Sequence, residues 1–275
     1  MDTKSSARST QGFDTLIFQK PEPRIGHLIL NRPEYLNALS LAMVEELHEL
    51  FSELMGSEEI RVLIISGAGR GFCSGADLRD ERILGPAMLR DTAGHLEAVQ
   101  RKFSTLVIEM RRMPQPIISI VHGPAAGGGM CIALASDITI AGPRASFTAS
   151  FANIGLSGGE LGTSYLLPRL AGIARASEIL LTGRTVHAQE ADRIGMISLL
   201  VNEEEKLMGV AMEKAQTLLG KSRLGLRLTK EVLNRSREAP SLEAAICVED
   251  FNQSVCVTSP DFLKEVERFQ KKKNG

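Results

Sequence analysis

Val121–Asp137 reads VHGPAAGGGMCIALASD, and its two flanks decide the fold. Ile117–Val121 (IISIV), leading into it, is a short β-branched run suited to a strand buried on both faces. Beyond the glycines, the chain is apolar and alanine-rich, a helical composition. The same order occurs upstream, where Val62–Ser66 (VLIIS) runs into the glycine-rich stretch Gly67–Leu78 (GAGRGFCSGADL). Ile138–Ala141 is a third short strand-like run, and Thr15–Gln19 and His27–Leu30 read as a strand pair around a Pro21–Gly26 turn. Helical periodicity fills Leu41–Leu54 and Leu89–Met110. Strands alternating with helices predict an α/β core whose parallel strands are joined by crossovers.

Past Asn202 the strand-like runs stop. Glu203–Leu219 and Gly225–Ser236 are helical in pattern, with Pro240 and Pro260 as punctuation. The expected organisation is a core over residues 1–202 and a helical region over 203–275. The latter has apolar periodicity but little core left to cover, which suits packing against other subunits. The basic tail Lys271–Lys273 reads as a solvated helix end that suits the macrodipole.

Composition narrows the class. The 275 residues carry 32 basic and 33 acidic side chains, a net charge of −1, so nothing draws the chain toward nucleic acid. Apolar runs are strand-sized, far short of the roughly 20 residues of a membrane span. Four dispersed cysteines (Cys73, Cys131, Cys247, Cys256) and five scattered histidines give no metal-ligand spacing and no disulfide framework. Met1–Phe13 is polar and serine-rich, unlike a secretory signal. Lys4 and Arg8 suit a mitochondrial presequence, whereas Asp2 and Asp14 oppose one. A reducing cytoplasm is the default compartment, with an organellar matrix the alternative.

Two patterns suggest chemistry and fail on context. Gly67, Gly69 and Gly71 do not complete a dinucleotide fingerprint, because the last position is Phe72. Gly155–Gly159 (GLSGG) has the spacing of a nucleophile elbow, but only His187 lies downstream and too little chain remains for a hydrolase sheet. Two other stretches fit one chemistry together. Arg70–Leu78 and His122–Cys131 each follow a strand and can present free backbone N–H groups, the second at a helix start. Donors from two such loops form an oxyanion hole for an enolate or tetrahedral intermediate. Tight turns and close packing would need the same glycines, and composition alone leaves both readings open.

LNRPEYLNAL (Leu30–Leu39), GRGFCSGADL (Gly69–Leu78), VHGPAAGGGMCIALASD and the segment from Phe147 to Gly172 resemble the enoyl-CoA hydratase/isomerase, or crotonase, superfamily. The resemblance covers roughly Phe13 to Val201, with a weaker family-like helical tail. It implies a superhelix of ββα turns whose C-terminal helices assemble trimers or dimers of trimers. It also implies an acyl thioester of coenzyme A as substrate, with no further cofactor or metal. Backbone N–H groups of Ala76 and Gly128 would hold the thioester carbonyl, with Ser74, Gly75, Asp77, Gly127 and Gly129 around the substrate. Asp77 directly follows the proposed donor and is read mainly as a stabiliser of its own loop.

The carboxylates separate the possible reactions. The two glutamates that handle water in the family's hydratases match Cys131 and Phe151 here, neither a carboxylate. Glu160, in GLSGGELGTSYLLPRL, stands eight residues before Pro168. There the peroxisomal-type Δ3,Δ2-enoyl-CoA isomerases carry a glutamate and the dienoyl-CoA isomerases an aspartate. One carboxylate in an apolar pocket suffices for a 1,3-proton shift, so Glu160 is the expected base of an enoyl-CoA isomerase. The alternatives are a hydratase or other CoA-thioester lyase or hydrolase, and an acyl-CoA-binding pseudoenzyme. A helix-capping role competes for Glu160. Asp80, Glu81, Asp91 and Glu97, expected as a solvated face, are the reserve for a second acid. Cys131 is read as a buried small hydrophobe and His122 as a structural histidine.

Overall fold

The computed structural model describes residues 12–86, 90–236 and 238–273. The readings made on residues 1–11 and on Leu89 lie outside the described residues. Strands β1 (Leu16–Glu22), β2 (Ile25–Leu30), β3 (Val62–Gly67), β4 (Ile117–Val121), β5 (Pro124–Ala126), β6 (Ile138–Ala141), β7 (Ser146–Thr148), β8 (Thr185–His187) and β9 (Leu199–Leu200) form two sheets. The larger has the order β1-β2-β3-β4-β6-β9, antiparallel only between β1 and β2. The smaller joins β5, β7 and β8. The β1–β2 turn is tighter than the sequence suggests. Both strands run further, to Glu22 and from Ile25, and Arg24 adopts a φ of 69°.

The β-branched runs become strands because both of their faces are buried. Leu63 and Ile65 point into the main core, while Val62 and Ile64 join Ile118, Ile120 and Ile140 on the opposite face. This is the two-residue alternation of a strand. The main core is closed by the helix Leu41–Gly56, which buries Met43, Val44, Leu47, Leu50, Phe51 and Leu54 at helical spacing. The Ser40 hydroxyl caps it by accepting from the Met43 N–H at 3.2 Å. Each buried leucine or phenylalanine contributes roughly 1.5–3 kcal/mol.

Two expectations change. The helical stretch ending at Met110 is interrupted: a turn at Thr92–His95 passes into a π-helical stretch, Leu96–Gln100, before the α-helix Arg101–Arg112. Moreover, the helix Leu207–Leu219 lies on the second face of the large sheet through Leu207, Ala211 and Ala215. Core therefore remained to be covered past Asn202, and this helix covers it. The helices Arg223–Ser236, Leu242–Cys256 and Pro260–Lys273 follow; Pro260 starts the last of them, where its missing N–H costs nothing. No helix among the described residues is long and apolar enough to cross a membrane.

Candidate active site

The two glycine-rich loops leave the carboxyl ends of β3 and β4 and meet. Phe72 and Cys73 N–H groups donate to Pro124 O at 3.0 and 3.1 Å, and Ala126 N–H returns a bond to Cys73 O at 2.9 Å. On its other side the first loop is laced to Leu39: Leu39 N–H donates to Gly75 O at 2.8 Å and Asp77 N–H to Leu39 O at 3.0 Å. The loops approach too closely for side chains at two positions. A Cβ on Gly129 would lie 2.1 Å from Cys73 O. At Gly75, with a φ of +93°, it would lie 2.8 Å from Ala126 O and 3.2 Å from Gly128 N.

The LNRPEYLNAL stretch is the scaffold for this junction. Buried Asn37 donates through Nδ2 to Ala68 O, Gly71 O and Phe72 O, pinning the glycine loop after β3. Arg32 pairs with Asp77 at 2.9 Å, and Arg79 adds a second contact at 3.1 Å. Burial pushes the Asp77 carboxyl up, but these guanidinium groups and the Arg79 N–H outweigh it and hold Asp77 below the usual carboxylate range.

Between the loops opens a cavity of about 350 Å³. Ser74, Ala76, Gly127 and Gly128 border it. Among the described residues, neither the Ala76 nor the Gly128 N–H is engaged by a backbone acceptor. Gly127 closes the turn by donating to Thr148 O at 2.9 Å, and Gly128 opens the helix Gly128–Ala135. The walls are largely apolar, with Leu78, Ile83, Val99, Phe103, Phe151 and Leu161 among them. Glu160 is the acidic residue among those that line the cavity. Its Oε1 accepts from Gln100 Nε2 at 2.5 Å and from the Leu161 N–H at 3.3 Å. The helix Thr163–Ala171 is started by Thr163, whose hydroxyl accepts from the Glu160 N–H at 3.0 Å, so the Glu160 carboxylate is not its cap.

The structure thus gathers Ser74, Ala76, Gly127, Gly128 and Glu160 around one cavity. Gly75, Asp77 and Gly129 stand behind that lining, in the junction between the loops. Cys131 is buried, and its thiol donates to Gly127 O at 3.2 Å. Burial pushes that thiol well up, with the charge of Glu160 adding to the effect. Cys73 is raised likewise to about 12, again by burial. Neither is a thiolate near neutral pH. His122 donates from Nε2 to Gly69 O at 3.0 Å, a loop tie. The four reserve acids lie off the cavity. Asp80 and Asp91 accept backbone N–H groups at helical turns, Glu97 pairs with Arg101, and Glu81 is exposed.

Three polar lining residues are not singled out as site residues by the sequence: His95, Gln100 and Ser150. The available signal is spacing, since Gln100 shares a helical pattern with Val99 and Phe103. Ser157 of the elbow-like pattern sits in an exposed loop and accepts from Gly159 N–H, without a strand before it. A second cavity, about 410 Å³ between Arg61, Gln115 and Arg223, opens where β3 and β4 begin. Ligands of parallel sheets bind at the carboxyl ends of the strands, which favours the Glu160 cavity.

Comparison with known proteins agrees with this fold. Residues 22–275 match the model of the family enoyl-CoA hydratase/isomerase. The chain is 39% identical over 238 residues to the probable enoyl-CoA hydratase EchA12 of Mycobacterium tuberculosis, covering 86% of this chain and 83% of that one. It is 35% identical over 260 residues to the 1,2-epoxyphenylacetyl-CoA isomerase of Escherichia coli, covering 94% and 96%. A crystal structure of a probable enoyl-CoA hydratase/isomerase from Mycobacterium abscessus superposes with a TM-score of 0.85 at 36% identity, over 94% of this chain and 96% of that one. The fold is that of the crotonase class. The chain belongs to the enoyl-CoA hydratase/isomerase family.

Proposed function

We propose that the protein is an enoyl-CoA isomerase acting on a CoA thioester. The supporting observation is Glu160, the acidic residue lining the cavity that two unengaged backbone donors also border. In this reading the thioester oxygen lies about 3 Å from the Ala76 and Gly128 N–H groups. Glu160 removes a proton from C2 of a 3-enoyl thioester, and the electron pair moves into the dienolate held by those donors. The same carboxylic acid returns the proton at C4, leaving the 2-enoyl thioester and an unchanged enzyme. Cys131 and Phe151, which match the hydratase glutamates, offer no second carboxylate.

His95 favours a second reading, because it is another ionisable group on the cavity wall. Hydration would use Glu160 and His95 as two proton-transfer groups.

Glu160→Gln tests the base directly, since it preserves shape but cannot accept a proton. We expect kcat for 3-enoyl-CoA isomerisation to fall about 10²–10⁴-fold. KM should change little, because the carbonyl and CoA contacts stay. Cys131→Ala serves as the control and should remain within a few-fold of the parent. Near-full turnover by a folded Glu160→Gln enzyme would refute the assignment.

A further inference from the structure

Glu160 does not stand alone in the cavity. Gln100, sixty residues earlier, reaches it from the end of the π-helical stretch Leu96–Gln100. A π-turn widens the helix by one residue, sacrifices regular hydrogen bonding and is found frequently at functional sites. Here it lies where the cavity is lined, with Val99 and Gln100 from this stretch and His95 from the turn just before it among the lining residues. Gln100 Nε2 donates to Glu160 Oε1 at 2.5 Å, and the Leu161 N–H donates to the same oxygen at 3.3 Å. Among the described residues, no protein donor is bonded to Oε2. One oxygen is held from two directions and the other is left to the substrate.

The residue type suits that arrangement. A glutamate carboxylate can rotate, and proton transfer needs its oxygen within about 3 Å of a defined substrate atom. A lysine or arginine would hold it too, but its positive charge would weaken the base. A glutamine amide is neutral at every working pH and donates without competing for the proton. Resting on the reading of Glu160 as the base, we infer that Gln100 is a positioning residue for the proton transfer. It fixes Oε1 so that Oε2 faces the acyl chain between C2 and C4.

The test compares kcat and KM for 3-enoyl-CoA isomerisation across variants of the full chain. Gln100→Leu removes the donor at similar volume. It should lower kcat about 10–100-fold with KM within about threefold. Gln100→Met, unbranched, should give the same loss if leucine disturbs the neighbouring helix. Gln100→Glu keeps the length and donates only while protonated. Held against Glu160, the new carboxyl titrates above its usual value of about 4.3. Its kcat relative to the parent should therefore fall as pH rises from about 5 to 8, whereas a packing role predicts no such fall.

Parental kcat in Gln100→Leu and Gln100→Met, a loss confined to KM, or a flat ratio for Gln100→Glu would each overturn the inference. Glu160→Gln, measured alongside, separates the two readings. If it keeps full turnover, the base and the positioning role both fall. If it is inactive while Gln100→Leu is fully active, only the positioning role falls.

Discussion

Gly128 is the first residue of its helix, behind Gly127 as N-cap, and proline is well tolerated at that position. Gly128→Pro therefore deletes one N–H from the proposed oxyanion site while leaving the helix start intact. Of the three ring carbons that proline adds, the Cβ would meet Leu39 Cδ1 at 2.9 Å, the far end of a side chain that can turn aside, and the Cδ would take the place of the amide hydrogen. If the amide holds the thioester oxygen, kcat falls about 10²–10³-fold. Steady-state kinetics with a circular dichroism control checks this, and parental kcat would remove Gly128 from the mechanism. At this scale the glycines after each strand were legible from their position, whereas Glu160 stood out only through the family resemblance that counts it back from Pro168. Gln100 and His95 belong to no motif. They reach the cavity because the chain between β3 and β4 folds over it, a tertiary event to which only the helical spacing of Gln100 with Phe103 points.

Among the elements, strands β3, β4 and β6 were legible because β-branched runs buried on both faces leave no other choice. The π-helical stretch was not, since Val99 within it and Phe103, Leu106 and Met110 after it keep an unbroken apolar rhythm. The helix Leu207–Leu219 showed an apolar stripe, but a stripe does not say what it will cover; Ala211 and Ala215 are small enough to lie close on the sheet. Beyond it the balance reverses. Lys230 anchors the helix Arg223–Ser236 to the core, donating to Asp137 at 2.7 Å and to Met110 O and Gln115 O. Past that anchor, large apolar side chains are bare: Leu242 is 71% exposed, Phe251 69% and Phe269 72%. Bare apolar side chains along these helices suit an interaction surface, and we propose that other copies of this chain cover it. Light scattering at micromolar concentration should give a trimer or hexamer; a monomer would contradict the proposal.

For the molecule as a whole, the sheet gathers groups that lie far apart in sequence. The proposed donors come from loops after two parallel strands, the proposed base from the segment before the helix Thr163–Ala171, and the amide bonded to it from the π-helical stretch. With a net charge of −1, selectivity rests on this local arrangement rather than on long-range attraction. A single carboxylate in the cavity that two free amide donors border matches a proton shift more closely than the addition of water. The most direct measurement is therefore product analysis on a panel of 2-enoyl- and 3-enoyl-CoA thioesters, resolving isomerised from hydrated acyl chains. The account predicts conversion of 3-enoyl- to 2-enoyl-CoA with little 3-hydroxyacyl-CoA. Predominant 3-hydroxyacyl-CoA, or tight binding without turnover of any thioester, would contradict it.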